Sequence, residues 1–166
     1  MYITDLTELK RVASGRDEEN DQFRSWLKDK DDAGTDALVH TITDKVSTAV
    51  NCTECGNCCK NLIIEVSPSD LLKTSASMAL APEEFIEKYI ETSAKGTYFI
   101  NTIPCHFLAN KKCTIYENRF TECSDFPHLT KPGFRPRLLG TLLHFETCPI
   151  IYNVIEEVKT TMGFVY

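Results

Sequence analysis

The sequence predicts a mainly α fold with a few short β-strands, a small single domain organised around a cysteine-ligated metal site. Three observations predict it. Apolar residues recur at helical spacing through both ends of the chain, the β-branched runs are short, and eight cysteines occur in 166 residues. That length can bury a core without covalent staples. With 42% hydrophobic and 25% charged residues, the composition is that of an ordinary folded domain.

Residues 3–32 are polar and charge-rich. Leu6, Leu9 and Ala13 fall at helical spacing, as do Phe23, Trp26 and Leu27, and the intervening GRDEENDQ has no apolar residue. Two short helices, or one with a solvated middle, are predicted, with Trp26 packing onto the domain. A clearer helix covers 35–50, capped by Thr35 or Asp36, with Leu38, Ile42, Val46 and Val50 as its stripe and His40 on its surface. Leu62–Val66 reads as a strand. Ser67-Pro68-Ser69-Asp70 opens a helix, with serine as cap and proline at its first position. Pro82 opens another, striped by Phe85, Ile86, Tyr89 and Ile90 and ended by Gly96. Thr97–Ile103 and Cys113–Tyr116 read as strands that could pair with each other. Phe126–Pro136 reads as loop. Helical pattern resumes at Arg137, and Pro149 begins a last helix with Ile150, Ile151, Val154, Ile155, Val158 and Met162 on one face. By this reading the chain divides into an N-terminal helical segment (1–50), a cysteine-cluster metal-binding domain (51–150) and a C-terminal helix packing on it (151–166).

The net charge of −6 argues against nucleic-acid binding, since the basic clusters at Lys111–Lys112 and around Lys131, Arg135 and Arg137 are small. No apolar run is long enough to cross a membrane. The N-terminal MYITDLTELKRV lacks the apolar core of a signal peptide, so a cytoplasmic location is expected. In a reducing compartment, clustered cysteines point to metal rather than to disulfides.

The motif NCTECGNCCKN places Cys52, Cys55, Cys58 and Cys59 within eight positions. A C-x2-C pair turns two sulfurs toward one centre, and Gly56 suits the tight turn between them. A second x2 step to Cys58 resembles the run that wraps an iron–sulfur cluster, with a further ligand arriving from a distance. Cys59 fits that wrap less easily, because adjacent side chains diverge. It could serve a second centre, bind a different iron or be a buried thiol. Cys105, Cys113, Cys123 and Cys148 follow downstream, and spacing alone does not pair them. His106, His128 and His144 are further metal-binding types, though eight thiols make them unnecessary; His106 is the best placed.

This order of residues resembles the CxxCxxCC (YkgJ-type) cysteine-cluster family of zinc- or iron-chelating domains. The resemblance rests on Cys52, Cys55, Gly56, Cys58 and Cys59, then Ser67, Pro68 and Asp70, then Cys105, Phe107 and Leu108. It continues through Cys113, Ile115, Tyr116, Arg119, Cys123, Phe126 and Pro127. Phe120 stands where the family has proline, which should alter the local bend. The resemblance implies a metal partner, an iron–sulfur cluster by preference or zinc, held through the eight cysteines. Arg119 would then offset thiolate charge, with Tyr116 and His106 as the other supporting residues; Tyr116 also reads as core. A similar cluster occurs within larger flagellin lysine N-methylases that use S-adenosylmethionine. No glycine-rich nucleotide loop is present here, so that activity is not carried over. A redox or S-adenosylmethionine-linked enzyme, and a metal carrier or protein-partner module, remain the alternatives.

Overall fold

A computed structural model describes all 166 residues. Ten α-helices and five short strands alternate along the chain. In order they are α1 (Leu6–Ala13), α2 (Asp17–Leu27), α3 (Asp32–Ala49), α4 (Cys52–Cys55), α5 (Cys58–Asn61), β1 (Glu65–Val66), α6 (Pro68–Ser77) and α7 (Pro82–Tyr89). There follow β2 (Ile90–Thr92), β3 (Tyr98–Ile100), β4 (Leu108–Ala109), β5 (Lys112–Cys113), a 3-10 turn (Tyr116–Asn118), α8 (Thr121–Asp125), α9 (Phe134–Leu142) and α10 (Pro149–Met162). The predicted mainly α class is therefore the observed one. No helix is long and apolar enough to cross a membrane.

Packing divides the chain at other points than its linear reading does. Residues 1–51 and 127–166 form one compact unit, and residues 52–126 form the other. The C-terminal helix thus belongs with the N-terminal helices, because α10 and α3 lie side by side and bury their apolar stripes on each other.

In the first unit, α1, α2, α3, α9 and α10 enclose Leu9, Phe23, Leu27, Val39, Val46, Phe134, Leu138 and Ile155. Two helices replace residues 3–32 because Gly15, at φ 79°, breaks the chain between them. Trp26 packs on Phe23 and Phe164, as predicted. The cap of α3 is Asp31, whose carboxylate accepts the Gly34 N–H. The predicted caps have other partners: Asp36 accepts the N–H groups of Gly133 and Phe134, and the Thr35 hydroxyl donates to the Asp31 carbonyl.

The GRDEENDQ stretch is not simply solvated. Lys159 of α10, with a side chain 5% exposed, donates to Glu19 at 2.7 Å, Asn20 at 2.7 Å and Glu156 at 2.9 Å. Arg16 pairs with the same two carboxylates. Removing one partner of such a set leaves buried charge uncompensated. Lys159→Ala is expected to destabilise this unit by about 3 kcal/mol, read by denaturation through Trp26, the chain's single tryptophan. Burial alone would raise the Glu19 pKa, but Arg16 and Lys159 outweigh it and hold the carboxyl below its ordinary 4.5. A depressed pKa contributes stability that is complete above the unfolded value and lost as pH falls through the folded one. The denaturation midpoint should therefore drop in acid below that value, and Glu19→Gln should flatten the drop.

In the second unit, the antiparallel sheet β1-β3-β2 pairs Glu65 with Phe99 and Glu91 with Phe99. A core of Ile64, Val66, Leu71, Phe85, Ile90, Ile100, Phe107 and Phe120 lies beside it. Ser67 caps α6 as predicted, its hydroxyl accepting the Asp70 N–H at 3.0 Å. Gly96 does not end α7. The helix stops at Tyr89, and Gly96, at φ 80°, sits in the turn joining β2 to β3. The β-branched and aromatic residues on either side favour the sheet over more helix. Nor do the two predicted strands pair with each other. β3 is taken by β1 and β2, while β5 pairs with β4 in a separate hairpin, Leu108 facing Cys113. Phe120 adopts φ −59° and ψ 151°, the backbone that proline itself imposes. The bend is thus kept, and the ring is buried at 1% exposure. Phe120→Ala should cost about 3–5 kcal/mol. Phe120→Pro should regain about 0.4–1 kcal/mol of that loss by stiffening the unfolded chain, as the order of denaturation midpoints would show.

Candidate metal centre

The short helix α4 and the turn α5 carry the clustered cysteines on two consecutive bends. Gly56 links them at φ 60°, and its N–H bonds the Cys52 carbonyl at 3.5 Å. The downstream cysteines arrive on the β4–β5 hairpin and on α8. Cys105 precedes β4 and Cys113 ends β5. Asn110 and Lys111, both at positive φ, make the two-residue turn between the strands. The Cys105 N–H donates to the Cys59 carbonyl at 2.8 Å, locking the hairpin base to the motif.

The hairpin tip rests on Gly56. A Cβ placed there would stand 2.7 Å from the Lys111 carbonyl oxygen and 3.1 Å from the Lys111 Cα. No side chain fits at this position, so the glycine is required twice over, by conformation and by contact.

These elements enclose a cavity of about 220 Å³ lined by Cys52, Cys58, Cys59, Cys105, Cys113 and Cys123. Leu62, Ile64, Phe107, Ile115, Phe120 and Phe126 form its apolar wall, and Lys111, Tyr116 and Arg119 also line it. No disulfide joins any of the eight cysteines. Two of the predicted ligand cysteines lie elsewhere. Cys55 is half-buried and does not line the cavity, although a charge on it would raise the Cys52 pKa. Cys148 belongs to the other unit, 8% exposed at the N-cap of α10. Cys59, the irregular member of the motif, faces the same cavity as Cys58, so the doubling supplies two sulfurs to one space.

Cys58 is the electrostatic centre of the set. Its thiol is pulled down to about 6, first by the hydrogen bond that Cys59 donates, against the penalty of burial, and then by the backbone N–H groups of Cys59 and Cys58 and by Arg119. Its charge in turn raises the pKa of Cys52, Cys59, Cys105, Cys113 and Cys123. Burial is the largest cause at Cys52, Cys105, Cys113 and Cys123, and it pushes Cys123 up to about 12. Cys59 is raised foremost by the hydrogen bond it donates to Cys58. Backbone N–H groups of Phe107 and Ile115 bond the sulfurs of Cys105 and Cys113 and oppose the rise. Each donor comes two residues after its cysteine, the spacing that favours a charged sulfur in a metal knuckle.

Arg119 lies 4.0 Å over the Tyr116 ring, and its buried Nε has no hydrogen-bond partner. Its charge favours the thiolates of Cys52, Cys58, Cys113 and Cys123. Tyr116 is 42% exposed, which excludes the core reading. His106 does not line the cavity. Its Nε2 lies 2.6 Å from the Asn101 Oδ1, and its ring packs edge-on against Tyr89.

A cavity walled by six thiols, with N–H donors to the sulfurs of Cys105 and Cys113 and the Arg119 guanidinium in its lining, is chemically suited to a cationic metal centre. No three cysteine, histidine or acidic side chains stand close enough to grip one ion between them. Liquid water occupies about 30 Å³ per molecule, so the cavity also exceeds the room one ion needs.

A mainly helical fold here turns cysteines from three separate segments into one cavity, an arrangement in keeping with a metal-binding domain. The chain belongs to the CxxCxxCC family, described as "Putative zinc- or iron-chelating domain", whose model matches residues 51–148. All eight cysteines lie within that span. No curated protein and no solved structure matches the chain.

One pair of residues was not singled out as part of the site in the sequence. Asp70 is 5% exposed and takes two bonds from Thr121, the first residue of the helix that carries Cys123. In the sequence Asp70 belongs to the helix opening at Ser67-Pro68 and to the family resemblance, with no partner indicated. Its partner lies 51 positions away, where local pattern carries no signal.

Proposed function

We propose that residues 52–126 hold an iron–sulfur cluster, with Cys58 at the centre of a ligand set drawn from Cys52, Cys59, Cys105, Cys113 and Cys123. The observation that carries this is the gathering of six thiols around one cavity larger than a single ion needs. Iron–sulfur clusters are held by cysteine thiolates, and hydrogen bonds to sulfur with nearby charge tune their potential. Phe107, Ile115 and Arg119 supply both here. The protein's part is to exclude water with its apolar wall and to fix the sulfurs. Zinc is the competing occupant, since four thiolates suit it equally in charge.

Anaerobic purification followed by iron, zinc and acid-labile sulfide analysis decides between them. A cluster gives broad visible absorption with iron and sulfide in equal amounts. A colourless chain carrying stoichiometric zinc would overturn the iron–sulfur reading.

A further inference from the structure

Asp70 and Thr121 stand apart from the thiols, yet they bear on where one thiol goes. α8 has only five residues and no side-chain cap of its own. A single turn of that length does not hold its shape in water without outside support. The support comes from α6. Asp70 Oδ2 accepts the Thr121 N–H at 3.0 Å, and Asp70 Oδ1 accepts the Thr121 hydroxyl at 3.0 Å. The Ser67 hydroxyl donates to Asp70 Oδ2 at 2.9 Å and so fixes the carboxylate from the other side. One turn further along α6, the Thr74 hydroxyl donates to the Asn118 carbonyl at 3.2 Å, gripping the turn just before Arg119. Cys123 follows Thr121 by two residues and lines the cavity.

We infer that Asp70 is a positioning residue for the metal centre: it acts as a clamp on Thr121 that holds Cys123 in the ligand set. This rests on the metal-binding reading above and adds to it why a buried carboxylate is needed at a helix start where Ser67 already caps. A carboxylate in contact with two donors of one residue fixes both position and rotation of the helix end. Neutral asparagine at the same site can accept only one of the two bonds; its NH2 can at most donate to the Thr121 hydroxyl, and it carries no charge to strengthen either contact.

The test compares Asp70→Asn, Asp70→Ala and Leu71→Ala in the full chain, reconstituted anaerobically with iron and sulfide. Leu71 is the next residue on α6, buried in the core and not part of the cavity wall. Its truncation marks what a purely structural loss does. Asp70→Asn is expected to speed iron loss to a chelator about tenfold, and Asp70→Ala about a hundredfold, the range seen when partners behind metal ligands are lost. The visible spectrum should change with them, because one thiolate is missing or replaced. Leu71→Ala should lower the melting temperature with spectrum and iron-loss rate unchanged. Asp70 variants that behave like Leu71→Ala, melting lower with wild-type spectrum and rate, would overturn the inference. If Asp70→Ala does not fold, Asp70→Asn decides on the same two readouts. A wild-type chain that takes up neither the cluster nor zinc overturns the metal reading itself, a result separate from any difference between variants.

Discussion

Gly56→Ala is expected to cost the protein most of its metal. Two effects combine at this position. An L-residue held at φ 60° pays about 1–2 kcal/mol for the left-handed conformation. The added methyl would also stand 2.7 Å from the Lys111 carbonyl oxygen, a backbone atom that cannot rotate away. The hairpin must then lift off α4, and Cys105 and Cys113 move with it. Metal per chain should fall about tenfold or more, as for loss of ligand geometry. Gly96→Ala is the matched comparison. It carries the same conformational penalty at φ 80° in the same unit, with nothing within 4 Å of the new methyl. That variant should melt lower yet keep its metal. Equal metal content in the two variants would remove the seat at Gly56 as the cause.

Cys58→Ala should abolish stoichiometric metal binding outright, whereas Cys148→Ala should retain it. The contrast follows from placement. Cys58 shares the cavity with five other thiols, and its pKa is lowered where theirs are raised. Without it the set loses the sulfur whose charge the surrounding N–H groups and Arg119 favour most, and the Cys59 thiol loses its acceptor. Cys148 lies in the unit formed by residues 1–51 and 127–166, outside the residues lining the cavity. Its truncation removes a small buried side chain and should show as a modest loss of stability. Elemental analysis of both variants beside wild type measures this. A chain that loses its metal with Cys148 would assign that thiol to the centre.

The two-unit division gives these experiments a useful readout. Trp26 stacks on Phe23 within the first unit, so its fluorescence follows that core. Changes at Gly56, Asp70 or Cys58 should reach metal content before they reach Trp26 emission.

Much of the architecture was legible along the chain. Ser67-Pro68 opened α6, Pro82 opened α7 and Pro149 opened α10, because caps and prolines act on their own neighbours. The heavily apolar face of α10 announced its burial for the same reason. The cysteine spacing and the residues following it were enough to place the chain in its family. Elements set by distant partners were not legible. Gly96 looked like a helix end until β3 was seen to draw Ile90–Thr92 into a sheet. Asp36 looked like a cap, but its carboxylate is taken by Gly133 and Phe134.

The site divides along the same line. The supply of thiols and the tight turn at Gly56 follow from residue chemistry and spacing. Which thiols share a cavity does not, because side-chain direction depends on how separate segments dock. Docking brought Cys105, Cys113 and Cys123 to the cavity that Cys58 and Cys59 both line, left Cys55 outside its wall and Cys148 in the other unit, and turned His106 toward Asn101. It also gave Asp70 its hold on Thr121. Local sequence encodes torsions and donor types, whereas membership of a site is settled by contacts between residues tens of positions apart.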